Sequence, residues 1–342
     1  NSVTIEGSTA TLDVDSRLRV GVGGKGRLEV ADGGTVGFSS NMGKLIITGN
    51  SRSISEGEVV VRGQNAKIDL EEGLLGVGLK RKGSLRISDG GMVRASKLSS
   101  GTYALSASTA SEVSVDGASS VLDIDVSASV TNANLTISNG AAIEIGVSNP
   151  NNPKLELWHP AMLTISGGRA VIGNGGAPFD TLRVSRGALL GDGTIAGNLE
   201  VVSGGSCFVG GARDKLMVIG NYLQDSGGKL SFAVLDSKQS SMEVSETVTL
   251  DGTLEVVFSY SPKAGEMFPF VKYGTSITGK FSSIVIQGLA PGAMYDQRDL
   301  GNNRYGLMFL ADALPAVGGP MMASVSATGF NARGEMEISV SA

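Results

Sequence analysis

Hydrophobic and polar residues alternate along most of this chain, in short runs that end at Gly, Asn or Asp. Examples are "VTIEG" (residues 3–7), "KLIITGN" (44–50) and "KIDLEEG" (67–73). Alternation with a period of two is typical of a half-buried β-strand, and a glycine after it supplies the positive φ of a tight turn. Helical periodicity is nearly absent. The pattern therefore predicts an all-β protein made of many short strands.

These strand-and-turn units recur along the sequence. The stretch "GRLEVADGGTVG" at residues 26–37 has close relatives at residues 83–94, 133–144 and 161–172. Over a longer span, Gly7 and Gly63 occupy equivalent positions at an offset of 56 residues. Self-similarity of this kind indicates a repeat architecture, in which each copy places a strand and a corner at the same position of a stack.

Among repeat architectures, a right-handed parallel β-helix (β-solenoid) fits this sequence best. Leucine-rich, ankyrin and tetratricopeptide repeats contain helices, and propeller blades are usually rich in aromatic residues. Here aromatic residues are 5% of the chain, whereas Gly accounts for 50 of 342 residues. Because inward and outward positions alternate along each strand, we expect Leu28 and Val30 inside the stack and Glu29 outside.

The second half of the chain carries a more specific pattern. "GALLGDGTIAGNLEVVSGG" (187–205) is followed by "LMVIGNYLQDSGGKLSFAVLD" (216–236) and by "VTLDGTLEVVFSYSPKAGEMFPFVKYGTSITGKFSSIVI" (248–286). This order resembles the passenger β-helices of bacterial autotransporters and is similar to exported surface proteins with PEP-CTERM-type sorting signals. The resemblance covers roughly residues 3–310 and implies a β-helix exported to the bacterial cell surface. It does not single out an activity, since such passengers include adhesins, proteases, esterases and plain stalks.

The sequence divides into three segments: N-terminal β-helix repeats at 1–172, an autotransporter-like β-helix module at 173–312, and a linker with a tail strand at 313–342. "LPAVGGP" (314–320) has the composition of a linker. In "EMEISVSA" (335–342), Met336, Ile338 and Val340 alternate on one face. We expect this extra strand to lack a partner in its own repeat. It then either caps the last coil or pairs with a neighbouring molecule, which makes these three residues the predicted self-assembly site.

Charge and hydropathy narrow the choice of partners. The net charge is −5, from 28 basic and 33 acidic residues, and no basic run stands out. This argues against nucleic acid as a partner, whereas a neutral glycan stays open. No run of about 18 apolar residues is present, so no transmembrane segment is predicted. Cys207 is the one cysteine, and in "GGSCFVGG" we expect it to be a small buried core residue.

Residues with catalytic or metal-binding chemistry are sparse. His159, in "LWHPAM", is the one histidine, so any Ser-His-Asp or Cys-His centre needs it, and no nucleophile motif accompanies it. A single histidine and a single cysteine exclude an ordinary zinc site. "GNGGAPFD" (173–180) faintly resembles a calcium-binding nonapeptide but does not recur, so a polar turn is the favoured interpretation. No cofactor is expected.

A carbohydrate-active β-helix enzyme would need carboxylates clustered with Lys or Arg on one face. The candidates are Asp214 with Lys215, and Asp296 with Arg298 and Asp299. The second group lies in "YDQRDLGNNRYG", the most polar stretch and the best candidate for a ligand-contact loop. A solvated turn is the default interpretation of this stretch, and we do not expect an enzyme.

We therefore predict an extracellular structural β-solenoid of the bacterial cell surface. A stack of coils has two open ends, whose unpaired backbone groups must be capped or used. If one end matches the other, the contact generates an open filament, so the predicted partner is another copy of the chain or another surface component. Two alternatives stay open: a monomeric adhesin or glycan-binding passenger, and a carbohydrate-active enzyme.

Overall fold

The computed structural model describes residues 1–40, 42–48, 55–101, 110–147, 153–173, 180–211, 214–235, 238–316, 324–330 and 336–341. Within these ranges every regular element is a β-strand, and most strand pairs are parallel. The predicted all-β class and parallel β-solenoid are confirmed. The chain divides into two compact units, Asn1–Arg183 and Val184–Ala342.

Strands of the N-terminal unit form three stacks. In chain order they are β1 (Ser2–Glu6), β2 (Thr11–Val14), β3 (Arg17–Val20), β4 (Lys25–Ala31), β5 (Thr35–Phe38), β6 (Lys44–Ile47), β7 (Glu56–Arg62), β8 (Lys67–Asp69), β9 (Leu74–Val77), β10 (Gly83–Ser88), β11 (Met92–Ser100), β12 (Ser111–Asp116), β13 (Val121–Thr131), β14 (Ala133–Ser138), β15 (Ala142–Ile145), β16 (Lys154–Trp158) and β17 (Met162–Ile172); β18 (Thr181–Ser185) contains the unit boundary. Face A begins with β1, β4 and β7, face B with β2, β5 and β8, and face C with β3, β6 and β9.

The interior of this unit is aliphatic, because inward residues of successive coils lie in register. Leu28 pairs with Val59 and Val30 with Val61, and all four are buried. Burying such a side chain contributes about 1.5–3 kcal/mol relative to leaving it exposed. Glu29 lies on the outward side, so the inward and outward positions predicted for this strand are confirmed.

Two kinds of corner alternate between faces A and B and explain the 56-residue repeat. In one kind, Asp32 and Gly33 adopt φ values of 48° and 93°. In the other, Gly63 and Asn65 adopt φ values of 88° and 64°. Since the kinds alternate, the sequence repeats after two coils, which is the distance from β1 to β7 on face A. A Cβ atom at Gly63 would lie 2.5 Å from Asp32 Oδ1 and 3.2 Å from Asp32 N, and the residue has a positive φ, so glycine is favoured here.

Strands of the C-terminal unit follow the same stacking. In chain order they are β19 (Ala188–Ala196), β20 (Asn198–Val202), β21 (Ser206–Val209), β22 (Lys215–Ile219), β23 (Tyr222–Gln224), β24 (Lys229–Leu235), β25 (Lys238–Gln239), β26 (Ser241–Val244), β27 (Thr247–Leu250), β28 (Thr253–Phe258), β29 (Met267–Tyr273), β30 (Ser276–Gly279), β31 (Ser283–Gln287), β32 (Tyr295–Asp299), β33 (Arg304–Phe309), β34 (Ser324–Phe330) and β35 (Met336–Ser341). The three parallel stacks run from β21 to β31, from β22 to β29 and from β23 to β30.

The last coils of this unit enclose an aromatic cluster. The Phe258 ring lies 5.1 Å from that of Phe268 and 5.5 Å from that of Phe309, both edge to face. Here the parallel stacking ends on one face, because β29 pairs antiparallel with β33, which pairs antiparallel with β32. An antiparallel bridge between Leu289 and Pro315 adds a further closing contact.

The predicted tail strand is present as β35, but the expectation that it has no partner is wrong. It pairs antiparallel with β34 in a two-stranded sheet of its own. The backbone register places Met336 opposite Phe330, Ile338 opposite Ala327 and Val340 opposite Val325. The stretch "SVSATGF" forms β34. It lies in the segment 313–342, for which only one strand was predicted.

Candidate functional site

The first coil of the N-terminal unit consists of β1, β2 and β3. Among the described residues each of these strands pairs on one side only, β1 with β4, β2 with β5 and β3 with β6. Their other edges present backbone N–H and C=O groups in strand geometry. Such an edge is a template for another strand. Within the given sequence, β1, β2 and β3 are the first strands of their three stacks.

Apolar residues line the mouth of this coil. Val3, Leu12 and Leu18 hold inward positions, because each pairs in register with a buried residue of the second coil. Val3 is nevertheless 53% exposed, and the other two are half-buried. Together with Val20 and Leu28 they line an open cavity of about 440 Å³. An exposed apolar patch of this kind is typical of an interaction site.

Charges of opposite sign lie on two faces of the same coil. Asp13 points outward on β2, and Arg17 and Arg19 point outward on β3. All three are exposed, and none forms an ion pair within the described part of the chain. The outward positions of β1 are Ser2, Thr4 and Glu6. The coil thus carries an acidic face beside a basic one.

Charges in the next coils are paired across neighbouring strands of a stack. Lys25 Nζ lies 3.0 Å from Glu56 Oε2, and Arg27 pairs with Glu58. The Arg62 side chain donates to Glu29 Oε1 at 2.7 Å, and this bond, followed by one from Arg27, holds the pKa of Glu29 below its usual range. Cross-strand ion pairs therefore neutralise outward charges in these coils of the solenoid.

Asp214 and Lys215, the first pair of candidates for carbohydrate chemistry, do not interact with each other through their side chains in any contact that the structure shows. Lys215 Nζ contacts Glu243 Oε2 at 2.5 Å, so it forms a structural ion pair. Burial, followed by the nearby Asp192 charge, raises the pKa of Asp214. These two candidates therefore have different partners.

The polar stretch expected to be a ligand loop forms the β32–β33 hairpin instead. Asp296 Oδ2 lies 3.7 Å from Arg298 Nη1 in an exposed pair. Asp299 accepts hydrogen bonds from the Tyr273 hydroxyl at 2.5 Å and from Gly301 N at 2.8 Å, and the tyrosine bond is the main cause of its lowered pKa. Since positions 296 and 299 point to opposite sides of a strand, their carboxylates do not form a catalytic pair.

The remaining candidates have ordinary surroundings. His159 is exposed in the turn between β16 and β17. Cys207 is fully buried, as predicted, and burial raises the pKa of its thiol. Most of the stretch 173–180 lies outside the described residues, and no group of three or more metal-ligating side chains occurs in the part of the chain that the structure describes. Nor does that part contain a helix with the length and hydropathy of a membrane span.

Sequence reasoning missed a charged groove at the corner between faces B and C. The groove has a volume of about 880 Å³, and its charged lining residues are Lys44, Glu71, Glu72, Arg94, Lys97 and Asp125. Arg94 Nη2 lies 3.2 Å from Asp125 Oδ1 and so pairs with it. Beside them, burial, then the Asp125 charge, raises the pKa of Asp123, which is 8% exposed. These residues are distant in sequence and come together only through the register of β8, β11 and β13.

Comparisons with known proteins add little to this picture. No protein-family model matches the chain, and no curated protein matches it. Among solved structures, a TibC-catalysed hyper-glycosylated TibA fragment aligns with 84% of this chain and 94% of its own length, at 14% identity and a TM-score of 0.30. A structural similarity at this identity and TM-score does not support a conclusion about function. The resemblance to autotransporter passengers and to PEP-CTERM-type surface proteins therefore stays a prediction from the sequence.

Proposed function

We propose that this chain is an exported structural β-solenoid of the bacterial cell surface, without enzymatic activity, that assembles from copies of itself. The observation that supports self-assembly is the tail hairpin of β34 and β35, a two-stranded sheet that pairs with no other strand among the described residues. The autotransporter-like pattern of residues 187–286 supports the part of the proposal that concerns export.

Two kinds of contact are available for assembly. In head-to-tail stacking, the first coil of one copy would lie on the last coil of another. Among the described residues of that last coil, β30 and β31 each have one unpaired edge, whereas β29 pairs with β33. The tail hairpin offers a second contact, because an outer edge of β34 or β35 can add to a free edge of a neighbour. In this proposal Met336, Ile338 and Val340 are the tail residues that strengthen self-assembly.

Negative-stain electron microscopy tests this proposal. The full chain is compared with a chain ending at Ala316, which keeps the bridge between Leu289 and Pro315, and with full-length Ile338→Asp. We expect fibres or multimers from the full chain and smaller particles from both variants. Single particles from the unmodified chain at high concentration would contradict self-assembly and favour a monomeric passenger or adhesin.

A glycan-binding adhesin is the second candidate, and the groove around Arg94 is the observation that favours it. Its volume of about 880 Å³ suits a small ligand, and its mixed carboxylates and ammonium groups suit the hydroxyls of a neutral sugar. A screen of the chain against immobilised glycans, with Arg94→Ala as the matched variant, tests this candidate. Binding that survives the substitution would place the ligand elsewhere.

A further inference from the structure

We propose that face C of the N-terminal unit binds an acidic polysaccharide, whose chain lies along the stack of coils. After β3, β6 and β9, this face continues through the second half of β11 and of β13 to β16. The inference goes beyond the proposed self-assembly, because it concerns a surface of a single copy. It rests on the charges at the outward positions of this face.

Cations dominate the outward positions of face C. From β3 to β16 these positions hold five cations and one carboxylate, a net charge of +4, whereas the whole chain has a net charge of −5. The charged residues are Arg17, Arg19, Lys44, Lys97, Lys154 and Glu156. Because an anionic ligand is attracted to a surface of positive charge, this face differs in its expected partner from the rest of the molecule.

Three of these cations form a column that follows the stack. Lys44 and Lys97 both lie opposite Leu74, which is on the strand between them. Ser127 lies opposite both Lys97 and Lys154. A lysine therefore recurs at every second strand, and successive lysines start about 10 Å apart. Cations at a regular spacing suit a linear polymer with repeated anionic groups better than a single small anion.

Most cations of face C lack the ion pairs that neutralise charge elsewhere in this unit. Within the part of the chain that the structure describes, no ion pair involves Arg17, Arg19, Lys44 or Lys97. Lys154 Nζ contacts Glu156 Oε1 at 2.6 Å. Arg17 also lies directly opposite Lys44, and like charges in such positions are destabilising. An anionic ligand would relieve this repulsion.

The remaining outward positions favour a sugar chain over a nucleic acid. Hydroxyl groups lie beside the lysine column, at Ser99, Ser127 and Ser129. A hydroxyl can both donate to and accept from the hydroxyls of a sugar. Single-stranded nucleic acid is usually bound by several aromatic side chains that stack on its bases. From β3 to β16, Trp158 is the one aromatic residue at an outward position of this face.

Acidic residues border face C on one side. Glu71 and Glu72 are exposed in the corner that precedes β9, and Asp125 lies near them at the groove described above. A polyanion would be repelled from this corner, so its chain would follow the lysine column. Lys44 and Lys97 also line the groove. This inference assigns them to an anionic ligand on the face rather than to a neutral sugar in the groove.

Fluorescence anisotropy of a labelled heparin oligosaccharide tests the inference with the full chain. Heparin is a sulfated polysaccharide, and labelled dextran is the neutral comparison. The test variant combines Lys44→Ala with Lys97→Ala. The matched control combines Arg169→Ala, on face B, with Lys280→Ala, in the other unit, so it also removes two cations. Thermal unfolding followed by circular dichroism checks that both variants fold.

We expect the unmodified chain to bind heparin but not dextran, and to bind more weakly as salt is raised from about 0.05 to 0.5 M. The Lys44 and Lys97 variant should bind about tenfold more weakly, and the control variant should stay within about twofold of the unmodified chain. An absence of heparin binding, or an equal loss in both variants, would overturn the inference.

Two further outcomes separate this inference from other assignments. Tighter binding of a labelled DNA strand than of heparin, with the same loss in the Lys44 and Lys97 variant, would assign face C to nucleic acid and overturn the polysaccharide. Self-assembly is measured separately, by microscopy of the chain without a ligand. A chain that forms fibres but does not bind heparin would therefore reject this inference and leave the proposed function standing.

Discussion

Gln224 is a polar side chain enclosed in the interior of the C-terminal unit, and its replacement by methionine should be strongly destabilising. It is 1% exposed. Its Oε1 accepts a hydrogen bond from the Tyr222 hydroxyl at 2.7 Å. Its Nε2 carries two hydrogens and lies within hydrogen-bond distance of three carbonyl oxygens, those of Asp251 at 2.7 Å, Gly228 at 3.0 Å and Thr253 at 3.1 Å, so one N–H is shared between two of them. The side chain thus connects its own coil to the next.

The size of the effect follows from the groups that lose a partner. Methionine has nearly the volume of glutamine but neither donates nor accepts as the amide does. Gly228 O keeps a second bond, from Thr253 N at 2.9 Å. The Asp251 carbonyl and the buried Tyr222 hydroxyl are left unpaired, at about 1–3 kcal/mol each. We therefore expect Gln224→Met to lower the free energy of unfolding by about 2–5 kcal/mol.

Urea unfolding followed by far-UV circular dichroism measures this loss. Tyr222→Phe removes the hydroxyl that Gln224→Met leaves without a partner. The double variant of Tyr222→Phe and Gln224→Met should therefore lose about 1 kcal/mol less free energy of unfolding than the sum of the losses in the two single variants. Gln64→Met, at an exposed position, is the control and should stay within about 0.5 kcal/mol of the unmodified chain. A loss below about 1 kcal/mol for Gln224→Met, or strict additivity, would refute the reasoning.

Three further predictions concern a corner, an ion pair and the cysteine. Gly63→Ala should lower the free energy of unfolding by about 2 kcal/mol, because the new Cβ would contact Asp32 and the backbone would also be strained by its positive φ. Gly117→Ala is the comparison, with a φ of 83° and its nearest atom at 3.7 Å, and it should lower that free energy by about 1 kcal/mol in the same urea assay. Glu29→Gln should lower the melting temperature at neutral pH. The difference in melting temperature from the unmodified chain should shrink as the pH falls below about 4 toward the lowered pKa of Glu29, since protonation of Glu29 removes the same ion pairs. A difference at about pH 3 as large as that at neutral pH would contradict this prediction. Cys207 should react with a thiol reagent only after unfolding in urea, because it is buried and its thiol pKa is raised.

The stacking of this chain could be predicted because its signals are local. Alternation placed Leu28 and Val30 inside, and the recurring Gly-rich corner placed equivalent strands on one face. The alternation of corner kinds around Gly33 and Gly63 is also present in the sequence, as a repeat of two coils. Each of these features depends on a few neighbouring residues. The sequence repeat then reproduces the same feature in successive coils of the stack.

The closing elements were not predictable in the same way, because alternation does not distinguish parallel from antiparallel pairing. The β32–β33 hairpin did leave one signal. The strands are connected by residues 300–303, where Gly301, Asn302 and Asn303 all adopt positive φ, at 82°, 52° and 56°, and the run "GNN" between alternating stretches was the available cue. The groove around Arg94 needed the register, since only stacking shows which outward residues of different coils lie together.

Sedimentation velocity of the unmodified full chain over a wide concentration range tests the central claim most directly. The claim is that this solenoid assembles with copies of itself. It predicts a reversible shift from monomer to dimer and larger species as the concentration rises. A single monomer boundary at every concentration would contradict the account.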